Sequence, residues 1–252
     1  MSKETINISR RGFVEKTATT FAGISIVPGV FLHQVANAKP ADQPATADNR
    51  WGMLIDTNKC ASGCTACVSA CNEENGIKTS DHPNHDNQTT TQQWIRKVKL
   101  RDKQTGHVVS LPMMCQHCEH PPCVDVCPTG ASMKRADGIV MVDRHICIGC
   151  RYCMMACPYK ARSFAHETVE DPKEYAPRGK GTVESCTLCV HRVDEGGTPA
   201  CVEACNEAEH GAMIFGDLKD PNSAISQELK KHGGKQIRAD LGLNTGVRYQ
   251  GI

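Results

Sequence analysis

The sequence predicts an α+β fold of short hairpins and short helices, arranged as two interleaved halves. Three observations carry that expectation. Sixteen cysteines in 252 residues fall into four groups of four with none left over. Ordinary apolar side chains are scarce, because the hydrophobic fraction of 39% counts the cysteines and only 4% of residues are aromatic. About a third of the chain is then left to build a conventional core, a thin supply for this length. Between the cysteine groups lie short alternating runs and turn signals, which suit hairpins.

Taken in order, the chain opens with Ser9-Arg10-Arg11-Gly12-Phe13, a mild apolar run from Thr17 to Leu32, and Ala36-Asn37-Ala38. A twin arginine, an apolar stretch and a small-x-small site read as a Tat-type export signal over 1–38, cleaved after Ala38. The run is short and rich in Thr, Gly and Ser for a membrane span. After a polar linker, Trp51 to Asp56 reads as a strand leading into the first group, Cys60-x3-Cys64-x2-Cys67-x3-Cys71. Ser80 to Thr91 is polar and reads as a surface loop. Trp94 to Arg101 alternates as a strand, Asp102 to Gly106 is a turn, and His107 to Leu111 is the return.

The second and third groups are the most regular: Cys115-x2-Cys118-x4-Cys123-x3-Cys127-Pro128 and Cys147-x2-Cys150-x2-Cys153-x3-Cys157-Pro158. The third matches the bacterial ferredoxin run, in which three close thiolates hold one 4Fe-4S cube and the fourth reaches a second cube. Two-residue gaps let sulfurs curl round one cube, and the three-residue gap starts a short helix that carries the last sulfur away. Between these groups, Ala131 to Arg135 and Ile139 to Asp143 flank a turn at Ala136-Asp137-Gly138 and read as a hairpin. Tyr159 to Ser185, with Pro172, Pro177, Gly179 and Gly181, reads as loop. The fourth group is Cys186-x2-Cys189-x11-Cys201-x3-Cys205, and Ser223 caps a helix to about Lys231. The last eighteen residues read as an extended tail packed on the body.

Adjacent groups two and three pair as an inner ferredoxin-like domain, 106–164. Groups one and four then pair as an outer one, 39–105 with 165–252. Crossed ligation predicts four cubes: Cys115, Cys118 and Cys123 with Cys157; Cys147, Cys150 and Cys153 with Cys127; Cys60, Cys64 and Cys67 with Cys205; and Cys186, Cys189 and Cys201 with Cys71. A chain with so little other core depends on such clusters to fold.

Other chemistry is excluded or set aside. Formal net charge is +1, and removal of 1–38 with loading of four clusters takes it to about −9. That disfavours nucleic acid, and no basic stripe with interleaved aromatics argues otherwise. Zinc needs four ligands per ion and has no use for a repeated Cys-Pro. A disulfide framework is the alternative that the export signal raises, and ligand-like spacing of all sixteen cysteines stands against it. No Cys-x2-Cys is followed by His, so c-type haem is not indicated, and no nucleophile, phosphate loop, flavin or nicotinamide fingerprint points to catalysis. Arg96, Lys134, Arg151, Lys160, Arg162 and Arg192 are candidates for tuning cluster potentials. His117, His120 and His191 read as packing or hydrogen-bonding neighbours of the ligands.

Several stretches resemble the four-cluster iron-sulfur subunits of membrane-bound respiratory complexes, such as the small subunits of dimethyl sulfoxide and polysulfide reductases. They are Cys115-Gln116-His117-Cys118-Glu119-His120-Pro121-Pro122-Cys123, Cys157-Pro158-Tyr159-Lys160-Ala161-Arg162, Cys186-Thr187-Leu188-Cys189-Val190-His191-Arg192, Phe215-Gly216-Asp217-Leu218 and Asp220-Pro221. Within that family the export signal, the Cys60-x3-Cys64 gap and Cys205-Asn206-Glu207-Ala208-Glu209-His210-Gly211 are most similar to DsrO-type subunits of the DsrMKJOP complex of dissimilatory sulfur metabolism. The resemblance implies a periplasmic electron-transfer subunit, not itself an enzyme, attached to the membrane through its partners. Those partners are an NrfD-type integral membrane subunit (DsrP-like) that reacts with quinone and a multihaem cytochrome c (DsrJ-like). The electron-transfer subunit of a molybdopterin oxidoreductase is the alternative within the class.

Overall fold

The computed structural model describes residues 44–77, 92–170, 172–208 and 210–252. The export signal and the loop expected over 80–91 lie outside them. In chain order the elements are β1 (Trp51–Asp56), α1 (Ala66–Glu74), β2 (Ile95–Arg101), β3 (Val108–Met114), α2 (Pro122–Asp125), β4 (Ser132–Lys134) and β5 (Val140–Val142). Then come α3 (Tyr152–Ala156), β6 (Ser163–Phe164), β7 (Val183–Glu184), α4 (Val190–Asp194), α5 (Ala200–Glu207), β8 (Met213–Asp217), α6 (Ala224–His232), a 3-10 turn (Ala239–Leu241) and β9 (Val247–Gln250).

The apolar run in β1 makes it a central strand, with Met53, Leu54 and Ile55 at most 1% exposed. It lies between β8, antiparallel from Trp51↔Asp217 to Ile55↔Met213, and β9, parallel from Met53↔Val247 to Asp56↔Gln250. Gly52 is required by close approach: a Cβ there would stand 2.5 Å from Leu218 Cδ1 and 2.7 Å from the Gly246 carbonyl oxygen. Helix α6 covers the sheet through the fully buried Ile225. Its start is capped by Ser223, whose Oγ accepts from the Ser226 amide at 3.2 Å, and it stops at Gly233 with φ +69°.

Hairpin β2–β3 is paired over seven residues, Ile95↔Met114 to Arg101↔Val108. It spans residues 105 and 106, where the sequence placed a domain boundary. The short β4–β5 hairpin lies between the second and third cysteine groups. The stretch 159–185, expected to be loop, carries a two-residue ladder, Ser163↔Glu184 and Phe164↔Val183. The tail is more than an extended cover, because its β9 is a full member of the central sheet. Helices α1 and α5 pack on each other, as do α2 and α3. Among the described residues no helix is long and apolar enough to cross a membrane.

Candidate iron-sulfur centres

The sixteen cysteines are free and, apart from Cys60, Cys64, Cys127, Cys147 and Cys150, buried. Cys60, Cys64, Cys67 and Cys205 line one cavity together with Ile55, Lys97, Met213 and His210; they are quartet I. Cys127, Cys147, Cys150 and Cys153 line another with Ser132, Arg151 and Val183; they are quartet IV. Cys71, Cys186, Cys189 and Cys201 form quartet II, each close enough for its charge to act on others of the set. Cys115, Cys118, Cys123 and Cys157 form quartet III by the same measure.

Local backbone explains how so few residues turn so many sulfurs inward. Among the described residues seven non-glycine residues have positive φ, and five of them, His117, Arg151, Lys160, Leu188 and Cys189, sit inside or beside a cysteine group. Left-handed residues are costly and persist where a site over-determines them. Here they curl the chain so that amides face sulfur: the Leu188 amide donates to Cys186 Sγ at 3.4 Å and the Ser132 amide to Cys127 Sγ at 3.3 Å. Gly149, φ +69°, serves close approach as well, since a Cβ there would lie 2.2 Å from the Gly181 carbonyl oxygen.

Burial pushes the Cys67 thiol up to about 11, and the Cys115 and Cys118 thiols up to about 12. Cys71 and Cys201 are pushed well up by burial first and then by neighbouring cysteines. Such quartets are stable as thiols or around a positive metal core, and not as bare thiolates.

Donors without partners point the same way. Arg162 Nε and Nη1, His117 Nε2, Tyr159 Oη and Ser185 Oγ are buried and unpaired, each in or next to a cysteine group. Buried polar groups are otherwise almost always satisfied, and sulfide-rich anionic cubes would satisfy these. The residues present therefore fit 4Fe-4S clusters, which supply one-electron storage and release when bound.

The candidate tuning cations separate sharply. Arg162 Nη2 donates to Cys123 Sγ at 3.0 Å. Arg96 instead donates to the Tyr159 carbonyl, Lys134 pairs with Glu119, Arg151 stacks over Phe164, and Arg192 pairs with Glu74 and Glu203. Lys97 was missed, although its Nζ lies 2.7 Å from Cys60 Sγ. The strand alternation of β2 could have found it, because Ile95, Lys97 and Lys99 share one face.

His117 is 1% exposed and accepts the Val140 amide at Nδ1, 3.0 Å away, while burial lowers its pKa to about 3. It is therefore neutral. His191 bonds to Glu74 at 2.6 Å and stacks on Tyr175, and His120 is exposed. Trp94 is 2% exposed and donates to Glu184, which Arg178 grips from two nitrogens at 3.0 Å. That buried network had no signal in the sequence.

Charge on one quartet also acts on the next in a fixed order. Cys67 of I acts on Cys71 and Cys201 of II, Cys115 of III acts on Cys186 of II, and Cys123 of III acts on Cys153 of IV.

A fold of short cysteine-lined turns closing four quartets of thiols is that of an iron-sulfur electron-transfer protein. Two family models described as "4Fe-4S dicluster domain" match residues 106–218 and 59–131. The chain is 40% identical to the "Hdr-like menaquinol oxidoreductase iron-sulfur subunit 1" of Archaeoglobus fulgidus, over 96% of this chain and 97% of that protein. It is 38% identical to a tetrathionate reductase subunit of Salmonella typhimurium, over 97% and 88%, and 36% identical to a sulfite dehydrogenase subunit of Allochromatium vinosum, over 78% and 81%. The chain belongs to the 4Fe-4S ferredoxin-type electron-transfer subunits of respiratory oxidoreductases, and its sixteen cysteines fit four 4Fe-4S clusters.

Proposed function

We propose that the chain is the DsrO-like periplasmic subunit of a DsrMKJOP-type complex of sulfur metabolism, passing electrons in the order I, II, III, IV or its reverse. The sixteen cysteines ligate as the four quartets, in two interleaved ferredoxin-like domains, 39–105 with 165–252 and 106–164, with the β2–β3 hairpin crossing from one to the other. The packing of α1 on α5 and of α2 on α3 supports that pairing. The observation that carries the reading is the head-to-tail order of the quartets. Electron tunnelling falls steeply with distance, so only a chain of near neighbours carries current across a protein of this size.

Quartet IV is the end that meets the NrfD-type membrane subunit. Cys150 is exposed there, ringed by Ile148 at 67%, Met155 at 65%, Tyr152 at 54% and Ile146 at 47% exposure. Apolar side chains gathered at one place on a surface mark an interaction site. Quartet I, under the β2–β3 hairpin, is the end that exchanges electrons with a multihaem cytochrome c. The kinship with a subunit named for menaquinol oxidation supports a quinone-linked partner.

The test is anaerobic purification with its partners. About sixteen iron atoms per chain are expected, together with interacting EPR signals and a co-purifying membrane subunit. An Ile148→Asp, Met155→Asp variant should keep its iron and lose the membrane subunit. Colourless folded protein would end the proposal. A co-purifying molybdenum subunit would favour the second reading, a molybdopterin oxidoreductase, which the match along nearly the whole chain to the tetrathionate reductase protein supports.

A further inference from the structure

Arg162 is 6% exposed, and the left-handed turn at Lys160, φ +50°, directs it back among the inner cysteines. One nitrogen donates to Cys123 Sγ of quartet III at 3.0 Å, and the guanidinium is near enough for its charge to act on Cys153 of quartet IV. Its Nε and Nη1 are buried without partners. The other buried arginine, Arg178, has the carboxylate of Glu184. Among the described residues none pairs with Arg162. A permanent charge held out of water needs a counter-charge, and among the described residues the anionic candidates that act on it are the cysteines of two different quartets.

We propose that Arg162 is a counter-ion shared by the inner two clusters, a positioning residue that raises both their potentials together so that neither falls far below the other. This rests on the quartet ligation proposed above. A positive charge stabilises whichever cluster holds the extra electron, so it raises both midpoints. The planar fork of arginine can bond two sulfurs at once, and the point charge of lysine cannot do so equally well. Lys97 offers the contrast, since it reaches only Cys60 of quartet I.

The experiment is a dithionite redox titration followed by EPR on the loaded protein, with iron counted in each sample. Cys123→Ser and Cys153→Ser first assign the signals of III and IV. If neither substitution alters a signal, the ligation has failed, and with it the assignment on which the bridge depends. With signals assigned, Arg162→Gln should lower both inner midpoints together, by about tenfold in each one-electron equilibrium, or 59 mV. Arg162→Lys should separate the two midpoints, and Lys97→Gln should move quartet I alone. Wild-type iron content with unmoved inner midpoints in Arg162→Gln, or movement of only one, overturns the proposal. Should Arg162→Gln fail to load, Arg162→Lys decides, and two unchanged midpoints there overturn it equally.

Discussion

On the proposed ligation, the inner and outer halves make the same kind of centre by opposite means. Quartets III and IV draw on residues 115–157, with helices of four and five residues and a hairpin of three-residue strands between them. Quartets I and II join residues 60–71 to residues 186–205, and their helices α1 and α5 run to nine and eight residues. They are clasped by Glu74 to Arg192 at 2.7 Å and Arg192 to Glu203 at 2.5 Å, and backed by β1, β8 and β9. Loop closure costs more as the intervening chain lengthens. Where ligands are near in sequence, turns alone suffice; where they are distant, conventional helices and a sheet must bring them together.

The largest test of this contrast is removal of iron by anaerobic chelation. Both halves should lose their helical signal, because metal binding and folding are one event here. Amides of β1, β8 and β9 that stay protected in hydrogen exchange would show instead that the outer sheet stands without its clusters.

Next is Tyr249→Ala at the seam between halves. Tyr249 is fully buried, accepts from Gln116 Nε2 at 3.1 Å and donates to the Pro112 carbonyl at 3.1 Å. Removing a buried aromatic costs about 3–5 kcal/mol, read as a shifted denaturation midpoint of loaded protein. Gly149→Ala should cost about 1–3 kcal/mol through its left-handed backbone and its contact with Gly181, and should disturb the EPR signal of quartet IV while leaving that of II.

The smallest effect belongs to the outer clasp. Hydrogen bonding from Arg192 holds the Glu74 carboxyl below its ordinary 4.5, against burial, with His191 adding to it. A lowered carboxylate contributes stability above the unfolded pKa and loses it as pH falls through the folded one. Acid unfolding below about 4.5 should therefore begin in α1 and α4. Glu74→Gln should flatten that dependence and cost about 1 kcal/mol at neutral pH, exposure keeping the figure small.

Cysteine spacing made the four groups legible, an apolar run did the same for β1, alternation for the β2–β3 hairpin, and a turn signal for β4–β5. Ser223 and Gly233 marked the ends of α6 by capping chemistry. The β6–β7 ladder was hidden because two residues have no period to read and prolines and glycines surround it. The pairing of β9 with β1 was hidden because a parallel partner almost two hundred residues away leaves no local trace. Of the six candidate cations only Arg162 has a hydrogen bond to sulfur, because sequence says little about the direction of a side chain. Lys97, in a strand far from any cysteine group, reaches one through the fold.

Strand β1 is among the first parts of the chain to be synthesised and among the last to be satisfied. At typical ribosomal speed, about 10–40 s separate the emergence of Asp56 from that of β8 and β9. During that time Met53, Leu54 and Ile55 are uncovered, and the sulfurs of Cys60 to Cys71 wait for Cys186 to Cys205. On the proposed ligation the inner pair of centres can be assembled on a growing chain, while the outer pair must await Cys205. A product truncated before Val247 would retain the inner pair and present an unfinished apolar strand, the kind of surface that chaperones hold and proteases remove.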